Sequence, residues 1–194
     1  GTFHYRGTRS PKPQTRDPFL AAAFARTFAE LYGHTGRDEF HDAAKQILLE
    51  LTETTVNNCR KSEDRCIKRG GEPHTVGTVM TARAMLEFQA RTGALTYGDT
   101  IRSLLRFALL AQRRDGGFEA SESDAQDTNT GGIRVLTGQT ALALAEAIRQ
   151  WGPKVYVEPL RQALVYLTET KPGFWAQRLQ PMVTHYTCMA AGIA

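Results

Sequence analysis

The 194-residue chain is long enough for one large domain or two small ones, and a 41% hydrophobic content suffices for a real core. Its net charge of +4 comes from scattered cations whose densest clusters (Arg6, Arg9, Lys12 and Arg16; Arg60, Lys61, Arg65, Lys68 and Arg69) fall in polar loops, the pattern of a solvated basic face rather than a nucleic-acid footprint. No apolar run approaches the roughly 20 residues that a bilayer-crossing helix needs.

In chain order, apolar residues at helical spacing predict helices over 18–33, 38–56, 75–91, 97–113, 136–150, 154–169 and 182–194. The first, third and fifth are rich in small and apolar residues ("PFLAAAFARTFAELY", "TVMTARAMLEF", "TGQTALALAEAI") and are expected to be the more buried members of helix pairs. The second carries Phe40, Ala43, Ala44, Ile47, Leu48 and Leu51 along one face. No strand-like alternation of useful length appears.

These helices repeat. Gly36, Gly93 and Gly152 each follow an apolar helix end, 57 and 59 residues apart, and each is followed four residues later by an aromatic, Phe40, Tyr97 or Tyr156. Leu48, Leu105 and Leu164 stand eight residues beyond those aromatics. Such a register predicts antiparallel helical hairpins, each turning at a glycine in the left-handed conformation, with an aromatic at the start of the second helix packed on the first.

The connections recur too. Phe118 and Phe174 each follow glycine and lie 56 residues apart, and Phe3 lies 115 residues before Phe118, close to two periods. The matching connection in the second copy, 58–74, carries Cys59 and Cys66 in "NNCRKSEDRC". A local disulfide would close a short loop and indicate an oxidising, extracytoplasmic compartment. Two free thiols remain the alternative, and the spacing is too long for a zinc knuckle. The expected state is Cys59 bonded to Cys66, with Cys188 reduced. Because the chain opens on Gly1 and ends inside the apolar run "HYTCMAAGIA", it reads as one domain, 1–194, cut from a longer protein.

Repeated hairpins of this texture ("YGHTGRDEFHDAAKQILLEL", "LLRFALLAQRRDGGF") resemble the α/α-toroid proteins: six-hairpin glycosidases, sugar epimerases and polysaccharide lyases. A weaker resemblance is to terpene-cyclase and prenyltransferase-like toroids, whose QxxDGGF punctuation is similar to "QRRDGGF". The prenyltransferase zinc segment is not reproduced, since His185-Tyr186-Thr187-Cys188 departs from its His-Thr-Cys order, and the cyclase DxDD acid is absent. The resemblance implies an all-α fold of hairpins about 57 residues long forming a partial toroid. It also places the connections entering the inner helices (1–17, 58–74, 114–135 and 170–181) at the mouth of a cavity.

That placement makes the acidic connection after "QRRDGGF" the candidate site. Glu119, Glu122 and Asp124, with His185, are the candidate general acids and bases. His4, Tyr5, His74, Trp175, Arg178 and Tyr186 are the candidate sugar-holding groups, because rings stack on apolar sugar faces. Against this, Asp115-Gly116-Gly117-Phe118 also reads as a helix-stop turn with an anchoring aromatic, the acids as solvated loop carboxylates, and His185 as a structural histidine. Asp124, Asp127 and Asn129 offer oxygen ligands but do not match the EF-hand spacing, so no metal or cofactor is expected. The expected function is therefore a carbohydrate-active protein acting on or binding a sugar or glycan. The alternatives are a non-catalytic helical-repeat module docking the remainder of its chain or another subunit, and an isoprenoid-handling toroid. Neither a membrane nor a nucleic acid is an expected partner.

Overall fold

Asp17 sets the start of the first helix: its carboxylate accepts the Phe19 N–H at 3.0 Å, with Pro18 in the first helical position. The computed structural model describes residues 17–120, 130–169 and 174–193. Among these, the elements in order are α1 (Pro18–Thr35), α2 (Asp38–Thr54), β1 (Thr55–Asn57), β2 (Arg65–Arg69), β3 (Glu72–Pro73), α3 (Thr75–Thr92), α4 (Gly98–Leu110), α5 (Thr130–Trp151), α6 (Val157–Glu169) and α7 (Phe174–Ile193). The class is all-α with one small sheet. Among the described residues no helix is long and apolar enough to cross a membrane.

The hairpin turns are built as the register predicts. Gly36, Gly93 and Gly152 have φ of +66°, +71° and +86°. Their N–H groups return to the carbonyls of Tyr32, Gln89 and Ile148 at 2.8–2.9 Å, satisfying acceptors that each helix end would otherwise leave open. The aromatics four residues on pack backwards: Phe40 stacks on Phe28 with centroids 6.2 Å apart, Tyr97 meets Phe88 edge-on at 5.9 Å, and Tyr156 tilts against Trp151 at 6.4 Å. Leu48 and Leu105 are fully buried and Leu164 half-buried.

α1, α3, α5 and α7 lie side by side in that order, and α2, α4 and α6 each back the helix before them. Arg83 pairs with Glu146 and the Leu86 carbonyl with Gln150, so sequence advances together along α3 and α5 and the two run parallel. A Cβ added at Gly33 would meet the side chain of Arg91, which brings the C-terminal ends of α1 and α3 together as well. Enclosure on both sides explains why every residue from 77 to 89 of α3, and from 136 to 147 of α5, is buried. The small residues there let three helices approach closely, and that packing forces Arg83 and Glu146 out of water. They answer one another with two bonds, Nε to Oε2 at 3.1 Å and Nη2 to Oε1 at 2.9 Å.

Three expectations are corrected. First, α2 stops at Thr54, and the connection 55–73 forms a three-stranded antiparallel sheet, with Thr55, Val56 and Asn57 opposite Ile67, Cys66 and Arg65. Gly70 and Gly71, both at positive φ (+61° and +91°), make the two-residue turn into β3. The sheet docks on α3, whose Thr78 hydroxyl accepts the Ile67 N–H at 2.9 Å. Second, α5 begins at Thr130 rather than 136, the helix absorbing Gly131 and Gly132. Third, α7 begins at Phe174 rather than 182 and runs through Pro181, although proline removes one intrahelical bond.

Cys59 and Cys66 are disulfide-bonded across the β1–β2 loop, their Cα atoms 6.1 Å apart, and Cys188 is free and exposed. The buried Asp64 carboxylate gathers the same loop by accepting the N–H groups of Cys59, Arg60 and Lys61 at 2.6, 2.9 and 2.9 Å. Alkylation without reductant, followed by mass measurement, is expected to find one modified cysteine of the three; three modified cysteines would contradict the pairing. Converting Cys59 and Cys66 to serine should cost about 2–3 kcal/mol, the order set by so short a closed loop.

Candidate functional site

The segment Gln112–Phe118 is a locally closed turn. Gly116 N–H returns to the Arg113 carbonyl at 3.0 Å, Arg113 N–H to the Gly117 carbonyl at 2.8 Å, and the Asp115 carboxylate accepts the Gly117 N–H at 3.0 Å. Phe118 is fully buried, and its N–H donates to the Thr137 hydroxyl at 3.0 Å. Close approach requires glycine at 116, where a Cβ would sit 2.3 Å from the Gln162 carbonyl oxygen, and leaves little room at Gly117, where one would sit 3.1 Å from the Tyr166 ring. Burial first, and the Asp115 carboxylate second, push the Tyr166 phenol above its ordinary range, so it remains a neutral packing partner. "DGGF" is thus a helix-stop turn with a packed aromatic.

Beyond the turn the chain reaches the end of α3. The Ala120 carbonyl accepts the N–H of Thr75 at 2.8 Å, so half-buried Glu119 lies one residue from that contact and His74 one residue from it on the other chain segment. Two connections 45 residues apart in sequence are therefore joined where α3 begins. His74 is the N-cap of α3: its Nδ1 accepts the Gly77 N–H at 3.3 Å, which commits that nitrogen to the acceptor role.

At the same end, between the start of α1, the end of α2, β2 and the start of α3, lies an open cleft of about 950 Å³. Its apolar side includes Ile67, Leu51 and Val76, and Phe19 stands over it with 39% of its surface exposed. Its ionisable groups are Asp17, Glu50, Lys68, Arg69 and His74. Asp17 is occupied as the α1 cap, and Glu50 receives the Gln46 amide at 3.3 Å. The cleft can hold a ring against an apolar wall while offering charged and hydrogen-bonding groups around it.

The remaining candidates divide. His4, Tyr5, Glu122 and Asp124 lie outside the described residues, as do Asp127 and Asn129. Trp175 and Arg178, expected in a connection, sit on the first turns of α7. His185 is mid-helix in α7 rather than near a helix start; it is exposed and edge-on to Tyr186, centroids 5.5 Å apart. Tyr186 packs against α5, its Cβ 3.0 Å from where a Cβ on Gly138 would stand, one residue beyond the Thr137 that holds Phe118. Among the described residues no cluster of three or more His, Cys, Asp or Glu is arranged to hold a metal ion.

Sequence reasoning missed Phe19, Lys68 and Arg69. The "GG" between "KR" and "EP" was the signal that could have found the last two, because a two-glycine turn marks a hairpin and hence a rigid lip. No family model, curated protein or solved structure matches the chain.

Proposed function

We propose that this protein is a carbohydrate-binding, carbohydrate-active helical-hairpin protein of the α/α-toroid type, holding a sugar or glycan at the end of the array where the connections enter α1, α3, α5 and α7. One observation carries the reading: the 950 Å³ cleft at that end sets an exposed aromatic ring, Phe19, beside carboxylates, cations and a histidine. A pyranose ring needs both, an apolar face against which its C–H groups pack and polar groups for its hydroxyls. The toroid part of the reading is supported by the two layers of helices, the first members side by side and the second members behind them. In the catalytic form of this reading, Glu119, Glu122, Asp124 and His185 supply the acid and base of hydrolysis, lysis or epimerisation. His4, Tyr5, His74, Trp175, Arg178 and Tyr186 then hold the sugar.

A panel of neutral and acidic glycans tests this. Phe19→Ala should weaken any bound glycan about tenfold, the order expected for one lost stacking contact. Glu119→Gln combined with Glu122→Gln should abolish turnover of that glycan with the melting temperature nearly unchanged. Binding and turnover indifferent to all three substitutions would place the ligand elsewhere.

A second reading, a non-catalytic helical-repeat module, is favoured by α1. Leu20, Phe24 and Leu31 are 52%, 51% and 37% exposed at heptad-like spacing, on the face of α1 opposite its buried Ala22, Ala25 and Ala29. Repeat arrays that end without a polar cap bury such a stripe against a neighbour. On this reading Phe24→Lys would dissolve an association with the remainder of the chain or another subunit and leave glycan binding absent throughout.

A further inference from the structure

We infer that the cleft between α1, α2 and β2 selects an acidic carbohydrate, one bearing a carboxylate or sulfate group, and that Lys68 and Arg69 read that group. The inference rests on the carbohydrate reading above and adds to it the charge of the ligand.

The argument is a comparison of how each charge in the cleft is employed. Asp17 caps α1 through the Phe19 N–H at 3.0 Å, and Glu50 receives the Gln46 amide at 3.3 Å, so both carboxylates already serve the protein. His74 spends Nδ1 on the Gly77 N–H. At the start of α3 the N–H groups of Thr75, Gly77 and Thr78 are taken by the Ala120 carbonyl, His74 Nδ1 and the His74 carbonyl. Lys68 and Arg69 differ. Both are exposed, both line the cleft, and neither side chain has a hydrogen-bond or ion-pair partner among the described residues. The neighbouring cations are employed: Arg65 donates to Asn57 at 2.7 Å, Arg106 pairs with Glu63, and Arg60 lies over the Phe107 ring at 5.2 Å. Asp17 and Glu50 keep their charges, but the charged hydrogen-bond donors in the cleft without a partner among the described residues are Lys68 and Arg69.

That charge is also held in place. Lys68 and Arg69 end β2 opposite Pro73 and Glu72, and the strand is pinned by Ile67 to Thr78 on one side and by the Cys59–Cys66 disulfide on the other. A preorganised lip loses less side-chain and backbone freedom when an anion arrives than a loose loop would. Phe19, which also lines the cleft, supplies an apolar face for the ring that carries the anion. Arg69 can present two parallel N–H groups to a carboxylate or sulfate, and Lys68 adds a compact second charge.

The test is calorimetric titration of a uronic-acid oligosaccharide, a sulfated oligosaccharide and the neutral oligosaccharide of the same length into wild-type protein and into Lys68→Gln/Arg69→Gln. Both replaced side chains are exposed, so the variant is expected to melt with the wild type. The wild type should bind at least one acidic ligand about tenfold more tightly than the neutral one, a preference that shrinks as salt rises and falls to within about twofold in the variant. Which acidic ligand wins separates a carboxylate from a sulfate source. Equal binding of neutral and acidic ligands, or a preference that survives in the variant, overturns this inference while the carbohydrate reading stands. Binding of none overturns both.

Discussion

Glu146→Ala is expected to lower the unfolding free energy by about 3–5 kcal/mol, because it strands the Arg83 guanidinium in a site that water does not reach. The two side chains are 1% and 6% exposed and bridge parallel helices in the middle of the array. In a chain of this size the loss should appear as a fall of about 10 °C in melting temperature. The pair is not expected to be worth that much on balance, since desolvating two charges consumes most of what their attraction returns. Arg83→Met with Glu146→Leu should therefore recover most of the loss, leaving the double variant within about 1 kcal/mol of the wild type. Denaturant unfolding of the three proteins checks both parts; a single variant that loses under 1 kcal/mol would mean the site takes up water, contrary to its burial.

Gly116→Ala should cost about 3 kcal/mol or more, the sum of a left-handed backbone that alanine resists and a collision it cannot relieve. The new Cβ would stand 2.3 Å from the Gln162 oxygen and 2.8 Å from its carbonyl carbon, both backbone atoms of α6. Gly93→Ala is the internal control: φ is also positive, +71°, but nothing lies within 4 Å of the added carbon. It should lose only about 1–2 kcal/mol. Equal losses in the two variants would show that α6 gives way, and that the turn does not fix Phe118 and Glu119 as firmly as its contacts imply.

The hairpins were legible because their instructions are local. A glycine at the helix end, an aromatic four residues on and a leucine eight beyond that each answer to one turn of backbone and one neighbouring helix, and all three turns formed with positive φ. The sheet was not legible, because strands of three, five and two residues hold too few alternations to stand out. What fixes them is the disulfide, the Asp64 carboxylate and the side of α3, partners that pairing in space supplies. The starts of α5 and α7 were misplaced for a related reason: Gly131-Gly132 and Pro181 are local helix breakers, and packing of α5 between α3 and α7 outweighs them. The buried pair was not read from the sequence either, although a lone arginine in "MTARAML" and a lone glutamate in "LALAEAI", each a single charge in an apolar stretch of helix, were the signal that could have found it.

The candidate site was less legible than the fold. The repeat phase did lead residues 119–120 to the start of α3 beside His74, as the Thr75–Ala120 bond records. The same phase could not foresee that His74 would be used as a cap, that Tyr186 would lie against Gly138, or that a β-hairpin would form one lip of the cleft. Those outcomes depend on distances between helices, which a repeat register does not contain.

Hydrogen exchange measured by mass spectrometry, with and without a saturating mixture of acidic and neutral oligosaccharides, tests the central proposal most directly. A carbohydrate held at the helix ends should slow exchange in residues 17–21, 65–78 and 118–120 and leave the glycine turns at 36, 93 and 152, at the opposite end of the hairpins, unchanged. Protection at those turns, along the exposed stripe of α1, or nowhere would contradict it.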